Sequence, residues 1–443
     1  MLRLRYLLFL GLAAAFLSQS SRGLDAPNIK RGEPQREGRA WVEHAECGAA
    51  VRNGARLLMR ADFGSITVHT GQSNRVECRI RLRVFKLSED EAKSFFRSVE
   101  LTAHQLEGGG LSISERYPPQ HDRSGWSAAD FDFTVPRRFN LDMETKGGNV
   151  TVSNLDGELR ASTAGGNIQT GDISGPVRVE TAGGDINVGN IGRRLMAKTA
   201  GGSIRANDIK GDATLETSGG EITAGFIEGA VHAQTSGGDI GLRGATGPVS
   251  AQTAGGQIQI GQCGASIHAE TAGGSIHLQG AKGGVVAQTA GGSIDLYRMQ
   301  SMVRAATAAG RILAEINANR DTFAASHLET SMGDIQVFLP PDLSLNIDAL
   351  IKESMGNRIV SDFPLHLTRD EEAFRRGPRR GEGALNGGGK VLRIRTVMGN
   401  IEIHKLDPTI IEQFKMRQQN YWNQWEERQK AFRIKCCTKA KEE

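Results

Sequence analysis

The chain has 443 residues, a net charge of +4 and only 5% aromatic residues. So mild a charge gives no footing for a nucleic-acid or acidic-substrate partner. Glycine, at 56 residues, is nearly twice its usual share of about 7%, which calls for many tight corners.

At the N-terminus Arg3 and Arg5 precede an apolar stretch from Tyr6 to Leu17, and Ser18-Gln19-Ser20 follow as small or polar residues. This is the pattern of an export signal over 1–20, and it is shorter than the roughly 20 apolar residues of a membrane span. The expectation is an exported protein of a bacterium: periplasmic, on the cell surface, or secreted. A retained signal anchor is the alternative, and no Cys follows the stretch to carry a lipid. Residues 21–40 are polar and basic, and a disordered linker is expected there.

Over 41–140 the sequence predicts irregular coils and a cap. Gly64-Ser65-Ile66-Thr67-Val68 and the alternation of Val76 to Val84 suit strands. Ser88-Glu89-Asp90-Glu91 is a capping box opening a short helix through about Phe96. Strands are expected around Leu111–Ser114 and Phe131–Val135, the latter stopped by Pro136.

The middle, 141–316, carries a Thr-Ala-Gly-Gly-x-Ile phrase every 18 residues, from Thr145 through Thr163 and Thr181 to Thr307. Five residues past each Thr stands Val150 or an Ile, in all ten copies. A further apolar column begins four residues before the Thr, as in Leu159, Val177 and Leu195. Apolar and polar residues alternate within two short runs, so the runs are strands. Antiparallel hairpins would set identical positions against different neighbours. A parallel solenoid sets each residue over its own counterpart about 4.7–4.9 Å away. The fold class predicted is therefore all-β: a single-stranded parallel β-solenoid (β-helix) with 18-residue coils, an irregular N-terminal cap and a C-terminal amphipathic helix. The Gly pair turns the chain, and the Thr hydroxyls are expected to line the corner.

From 317 to 405 the coils lengthen. Copies recur at Thr330-Ser331-Met332-Gly333, at Glu353-Ser354-Met355-Gly356 and at Thr396-Val397-Met398-Gly399. A mobile loop is expected over 368–389, with its basic Arg375-Arg376-Gly377-Pro378-Arg379-Arg380. In 406–443, Ile410, Ile411, Phe414, Tyr421, Trp422, Trp425, Phe432 and Ile434 stand among charged and amide residues. This predicts an amphipathic helix folded over the last coil as a cap, with membrane-surface contact through the Trp pair as the sharper alternative.

Five cysteines do not make a disulfide framework. Cys263 falls in a core column. Cys78 points inward, and its pairing with Cys47 stays open. Cys436 and Cys437 are adjacent in a basic tail, where an exposed thiol linking two chains is conceivable.

The Thr-x-Gly-Gly-x-Ile coils, Ser361-Asp362-Phe363-Pro364 followed by Leu385-Asn386-Gly387-Gly388-Gly389, and the closing Leu392-x-Ile394-x-Thr396-x-x-Gly399-x-Ile401 belong together. In combination they resemble a bacterial adhesin-like family built on a domain of the DUF4097 type, over about residues 45 to 405. The resemblance implies an exported β-solenoid. It supplies no catalytic or ligand residues to carry over.

No chemistry is concentrated in the repeat. Calcium-binding β-rolls need a fixed carboxylate, and here the residue after Gly-Gly varies among Asn, Asp, Ser, Glu, Gln and Arg. Asp185 and Glu221 share an exposed column two coils apart, but a walled cleft for glycoside chemistry needs longer loops. His232 and His268 are also two coils apart, too far for a common metal, and His268 and His277 lie on different strands. We expect no catalytic, cofactor or metal residues. The leading expectation is a non-enzymatic, adhesin-like rod whose partner is a glycan or an envelope or surface protein. A polysaccharide-active enzyme, with acids where the period breaks, and a self-assembling envelope scaffold are the alternatives. Ligand residues and oligomeric state are not written in the sequence.

Overall fold

A computed structural model describes residues 27–85, 87–117, 127–369, 377–417, 419, 420, 423 and 427. Each 18-residue period makes one lap of a flattened solenoid, as the repeat predicts. The strand before the Gly pair joins an 18-stranded leading sheet, and the strand after it joins a 19-stranded trailing sheet. Register is one period per coil: Leu159 faces Val177 and Thr163 faces Thr181 in the leading sheet, and Ile168 faces Ile186 in the trailing one. Like therefore lies over like. Ile186, Ile204, Ile222, Ile240 and Ile258 stack with no exposed surface. Each such burial stabilises the rod by about 1.5–3 kcal/mol.

The corner explains the invariant phrase. Each Thr hydroxyl donates to the carbonyl of the second corner Gly of the preceding coil, as in Thr163 to Gly148 at 2.9 Å, Thr235 to Gly220 at 2.8 Å and Thr307 to Gly292 at 2.9 Å. The same oxygen accepts the amide of its own second Gly, as from Gly238 to Thr235 at 3.3 Å. Those Gly residues are required by close approach: a Cβ on Gly220 would sit 2.1 Å from the Gly202 carbonyl oxygen.

The cross-section changes along the rod. Before Gly220 the trailing strands have three residues, as in Ile168–Thr170 and Ile186–Val188, and Leu155, Ile173, Ile191 and Ile209 bridge separately beyond a bend. From Ile222–Ile227 onward through Ile294–Met299 the bend is gone and the strands have six residues. Asn and Asp residues cause the bend. Asn154, Asp172, Asn190 and Asp208 stack at the third corner, and each side-chain oxygen accepts the backbone amide one coil on (2.8, 2.8, 3.3 and 2.7 Å). The next residue in the column is Phe226, and the ladder stops.

Both ends mix antiparallel pairs into the parallel stack. The linker expected over 21–40 is, from Asn28, partly strand: Asn28–Arg31 and Gln35–Glu37 pair antiparallel with Ala40–Ala50. These backbone groups find partners on the edge of a sheet, which polarity alone did not reveal. Ala40–Ala50 in turn pairs antiparallel with Arg75–Phe85, where Cys47 and Cys78 face each other and form a disulfide, Cα–Cα 5.0 Å. Helix α1 (Glu89–Ser98) carries the predicted capping box.

At the C-terminal end the last copy in sequence is not last in space. Strand Val391–Met398 inserts between Ser326–Met332 and Leu345–Ile351. Ile351, rather than Glu353, faces Thr396 in the Thr column. The loop expected over 368–389 also contains structure: Arg379–Leu385 is a strand, antiparallel to Leu345–Ile351 and to His366–Arg369. Arg375 and Arg376 of its basic cluster lie outside the described residues, as do the export signal, Tyr421, Trp422, Trp425, Phe432, Ile434, Cys436 and Cys437.

Helix α2 (408–417) is capped by Asp407, whose carboxylate accepts the Ile410 amide at 2.9 Å. It does not close the end of the rod as expected. It lies against the outside of the trailing sheet, where Leu406 and Phe414 pack with the outward-facing Tyr297, Leu313 and Phe338. Leu313 interrupts one polar outward column and Tyr297 and Phe338 the next, and together they give the apolar stripe of the helix a lateral seat.

Candidate functional site

Two shallow troughs, each about 570 Å³, mark the outside of the rod. One runs along the leading sheet over Thr214, His232, Ser250, His268 and Val286, register partners on successive strands. Strand alternation sends these side chains outward, and small neighbours such as Ala230, Pro248 and Gly284 leave the hollow. His232 and His268 do share the column, with Ser250 between them. His268 sits 3.6 Å from Glu270. His277 is on the other sheet, 4.0 Å from Asp295 and with its ring 5.3 Å from that of Tyr297. The structure therefore does not bring His268 and His277 together. Among the described residues no group of three or more His, Cys, Asp or Glu is placed to hold a metal ion.

The second trough follows the Asn–Asp ladder, with Asp156, Lys210 and Glu228 at its rim. Two of its carboxylates, Asp172 and Asp208, accept backbone amides, and Asp156 pairs with Arg137 at 3.1 Å. Of the pair singled out in the sequence, Asp185 accepts the Ser203 amide at 2.8 Å, and Glu221 accepts the Thr223 hydroxyl at 2.9 Å. Both stabilise turns. Cys263 is buried, and burial pushes its thiol pKa up, which suits a core residue and not a nucleophile.

Two buried carboxyls, Glu115 and Glu315, and the half-buried Asp348 escaped sequence reasoning. Glu115 takes the corner place beside Ala61 at the N-terminal end and accepts the Asp62 amide at 2.9 Å. Burial, only partly offset by the Phe63 and Asp62 amides and Tyr117, pushes its pKa up to about 7. The signal was a carboxylate where the repeat carries Thr. Glu315 lies beneath helix α2; burial raises its pKa, opposed by the Arg298 backbone. Asp348 stands where the period breaks, among Arg380, Arg393 and Arg395. Burial works against its charge, but the Arg395 and Arg380 guanidinia hold its pKa below the usual range.

The leading-sheet face is open and continuous. Its second outward column reads Ser162, Glu180, Lys198, Glu216, Gln234, Gln252, Glu270 and Gln288, in register from one coil to the next. Lys198 pairs with Glu216 at 2.9 Å, and Gln252 donates to Glu270 at 3.4 Å. The column presents donors and acceptors at the strand spacing of about 4.8 Å.

No family model matches the chain, and no curated protein matches it. Among solved structures it aligns with the crystal structure of a putative cell adhesion protein from Clostridium sporogenes, at 9% identity and a TM-score of 0.17. The alignment covers 86% of this chain and 99% of that one.

Proposed function

We propose that this is an exported, non-enzymatic, adhesin-like rod that binds a repetitive glycan or an envelope or surface protein along its leading-sheet face. The observation that carries the reading is the in-register polar column from Ser162 to Gln288. A repeated set of amides and carboxylates at fixed spacing complements a partner whose hydroxyls also repeat. The resemblance of the Thr-x-Gly-Gly-x-Ile coils to the adhesin-like DUF4097-type family supports it. Asp172 and Asp208 in the second trough are held by backbone amides, and Asp348 is held by arginines, which speaks against a pair poised for glycoside cleavage.

A glycan array and a turnover assay on labelled polysaccharides test it together. Binding without release of product is expected, weakened at least about tenfold by the triple change Gln234→Ala, Gln252→Ala and Glu270→Ala, each amide or carboxylate contributing about 0.5–1.5 kcal/mol. Product release would support the polysaccharide-active reading instead.

One observation favours a scaffold as the second reading. The terminal coil ends in the three-residue strand Ile359–Ser361, which pairs on one side only, and Met355, Val360 and Leu367 are exposed around it. Such an edge invites end-to-end pairing. Light scattering that rises with concentration, and is abolished by Val360→Lys, would favour it. An unchanged monomer would dismiss it.

A further inference from the structure

The first Gly of the corner pair recurs from Gly147 through Gly165 and Gly183 to Gly291, and Ala309 follows it. The next places are taken by methionine. Met332 lies in register with Ala309, and Met398 in register with Met332. The outermost copy of the phrase brings Met355 to the same corner. Its turn is longer than the others and sits over the Met398 corner. The Glu353 amide donates to the Val397 carbonyl at 2.9 Å, and the Arg358 amide to the Asn400 side-chain oxygen at 3.0 Å. Three of the ten methionines thus stand on successive laps of one ridge.

Packing does not explain them. This position faces outward: a Cβ on Gly165 would meet nothing within 4 Å, and one on Gly183 only a carbonyl oxygen at 3.6 Å. Met332 is 54% exposed and Met355 56%, with Met398 half-buried between them. Met355 is also placed at a cost. The Asn357 amide closes a turn onto the Ser354 carbonyl, with φ of 25° at Met355 and 97° at Gly356. A turn with two positive φ values favours Asn or Gly at the first of them, not a long side chain.

The oxygens beside the ridge are already engaged. Asp334 accepts the Asn400 amide at 2.7 Å, and Asn400 accepts that of Arg358. The neighbouring residues Ser331, Val397 and Ser354 carry no charge. The thioethers are therefore the donors the ridge presents, and they are soft, neutral ligands. Strands about 4.8 Å apart bring Met332 and Met398 side by side, and three rotatable bonds let Met355 lean in from the outermost lap. A protein partner fits less well, since three side chains cover far less than the roughly 800 Å² per partner of a stable interface.

We infer that Met332, Met398 and Met355 form a thioether site for a soft monovalent cation, copper(I) or silver(I), at the C-terminal end of the rod. It is separate from the leading-sheet column and does not depend on what that column binds. Thioethers carry no proton to lose, so this site, unlike one built on histidine or thiol, binds equally well at mildly acidic and mildly basic pH.

The test uses the full chain carrying Cys263→Ala, Cys436→Ser and Cys437→Ser, so that no thiol competes, with the Cys47–Cys78 disulfide intact. It is titrated with silver(I) nitrate in chloride-free buffer. One equivalent is expected to bind, shifting the methyl signals of Met332, Met355 and Met398 together and leaving those of the buried Met59 and Met143 in place. The triple change Met332→Leu, Met355→Leu and Met398→Leu keeps the side-chain volume and is expected to weaken binding at least about tenfold, since even outer-shell changes at a metal cost that much. Met416→Leu, at another exposed methionine, is expected to change nothing. No binding, equal binding by the triple variant, or a loss with Met416→Leu alone would overturn the proposal. An affinity that climbs between about pH 6 and about pH 8 would overturn it in favour of histidine ligands.

Discussion

The coils before Gly220 and those after it share one corner and differ at another. In the early coils Asn154, Asp172, Asn190 and Asp208 hold a bend open by accepting amides from the next coil. In the late coils Phe226, Gly244, Gln262 and Gly280 occupy the same place, and the strand runs straight through. Changing one column thus turns a three-sided lap into a two-sided one without altering the 18-residue period. The broad flat face on which helix α2 rests exists only where the bend is absent.

The shared corner should show the largest effects, and equal ones in both halves. Gly184→Ala would place a Cβ 2.1 Å from the Gly166 carbonyl oxygen, and Gly256→Ala 2.0 Å from that of Gly238. Each is expected to cost at least about 3 kcal/mol, or to prevent folding, because a packed backbone has no room to yield. Urea unfolding would check this, and a harmless change in either half would break the comparison.

The unshared corner separates the halves. Asp208→Ala removes the acceptor of the Phe226 amide and is expected to lower stability by about 1–3 kcal/mol. Gln262→Ala, at an exposed side chain in the same column, is expected to stay within about 0.5 kcal/mol of wild type. Similar losses at both would mean that the Asn–Asp ladder is not what makes the bend. Smaller again is the Thr column, where Thr199→Val and Thr253→Val should each cost about 1 kcal/mol and should match, since both hydroxyls donate to a Gly carbonyl at 2.9 Å.

The N-terminal end gives an effect of another kind, visible as a dependence on pH. Glu115 has an ordinary value of 4.5 and is pushed up to about 7 in the fold. Its stabilising contribution is therefore complete below about pH 4.5 and is lost as pH rises through about 7. Asp62, whose pKa is lowered by Lys146 and the Tyr117 amide against the pull of burial, acts in the opposite sense. The measurement is thus the difference between wild type and Glu115→Gln: the variant should lose the decline between pH 4.5 and 7, and an unchanged pH profile would remove Glu115 from the account.

The repeat made the middle legible because a column of Ile or Val every 18 residues permits only one stacking. The Thr and Gly positions likewise told where the chain turns, though not that the hydroxyl reaches back a coil. The Asn–Asp ladder was present in the sequence as an alternation ending at Phe226, but its effect depends on side chains reaching amides of a neighbouring coil. The ends were least legible. Antiparallel strands such as Asn28–Arg31 and Arg379–Leu385 are short, polar and edge-placed, so composition presents them as linker and loop. The insertion of Val391–Met398 between earlier coils is a matter of topology that no local pattern announces. The seat of helix α2 was foreshadowed by Tyr297, Leu313 and Phe338 breaking two neighbouring polar outward columns. For the proposed binding face, the sequence held the residues and the register aligned them, while the partner is set by chemistry outside the chain.

Small-angle X-ray scattering of the whole chain tests most directly whether one lap lies over another. The leading sheet joins 18 strands side by side, so the account predicts a skewed distance distribution reaching about 80 Å or beyond. A symmetric distribution from a compact particle, with a radius of gyration near about 22 Å and no longer dimension, would contradict it.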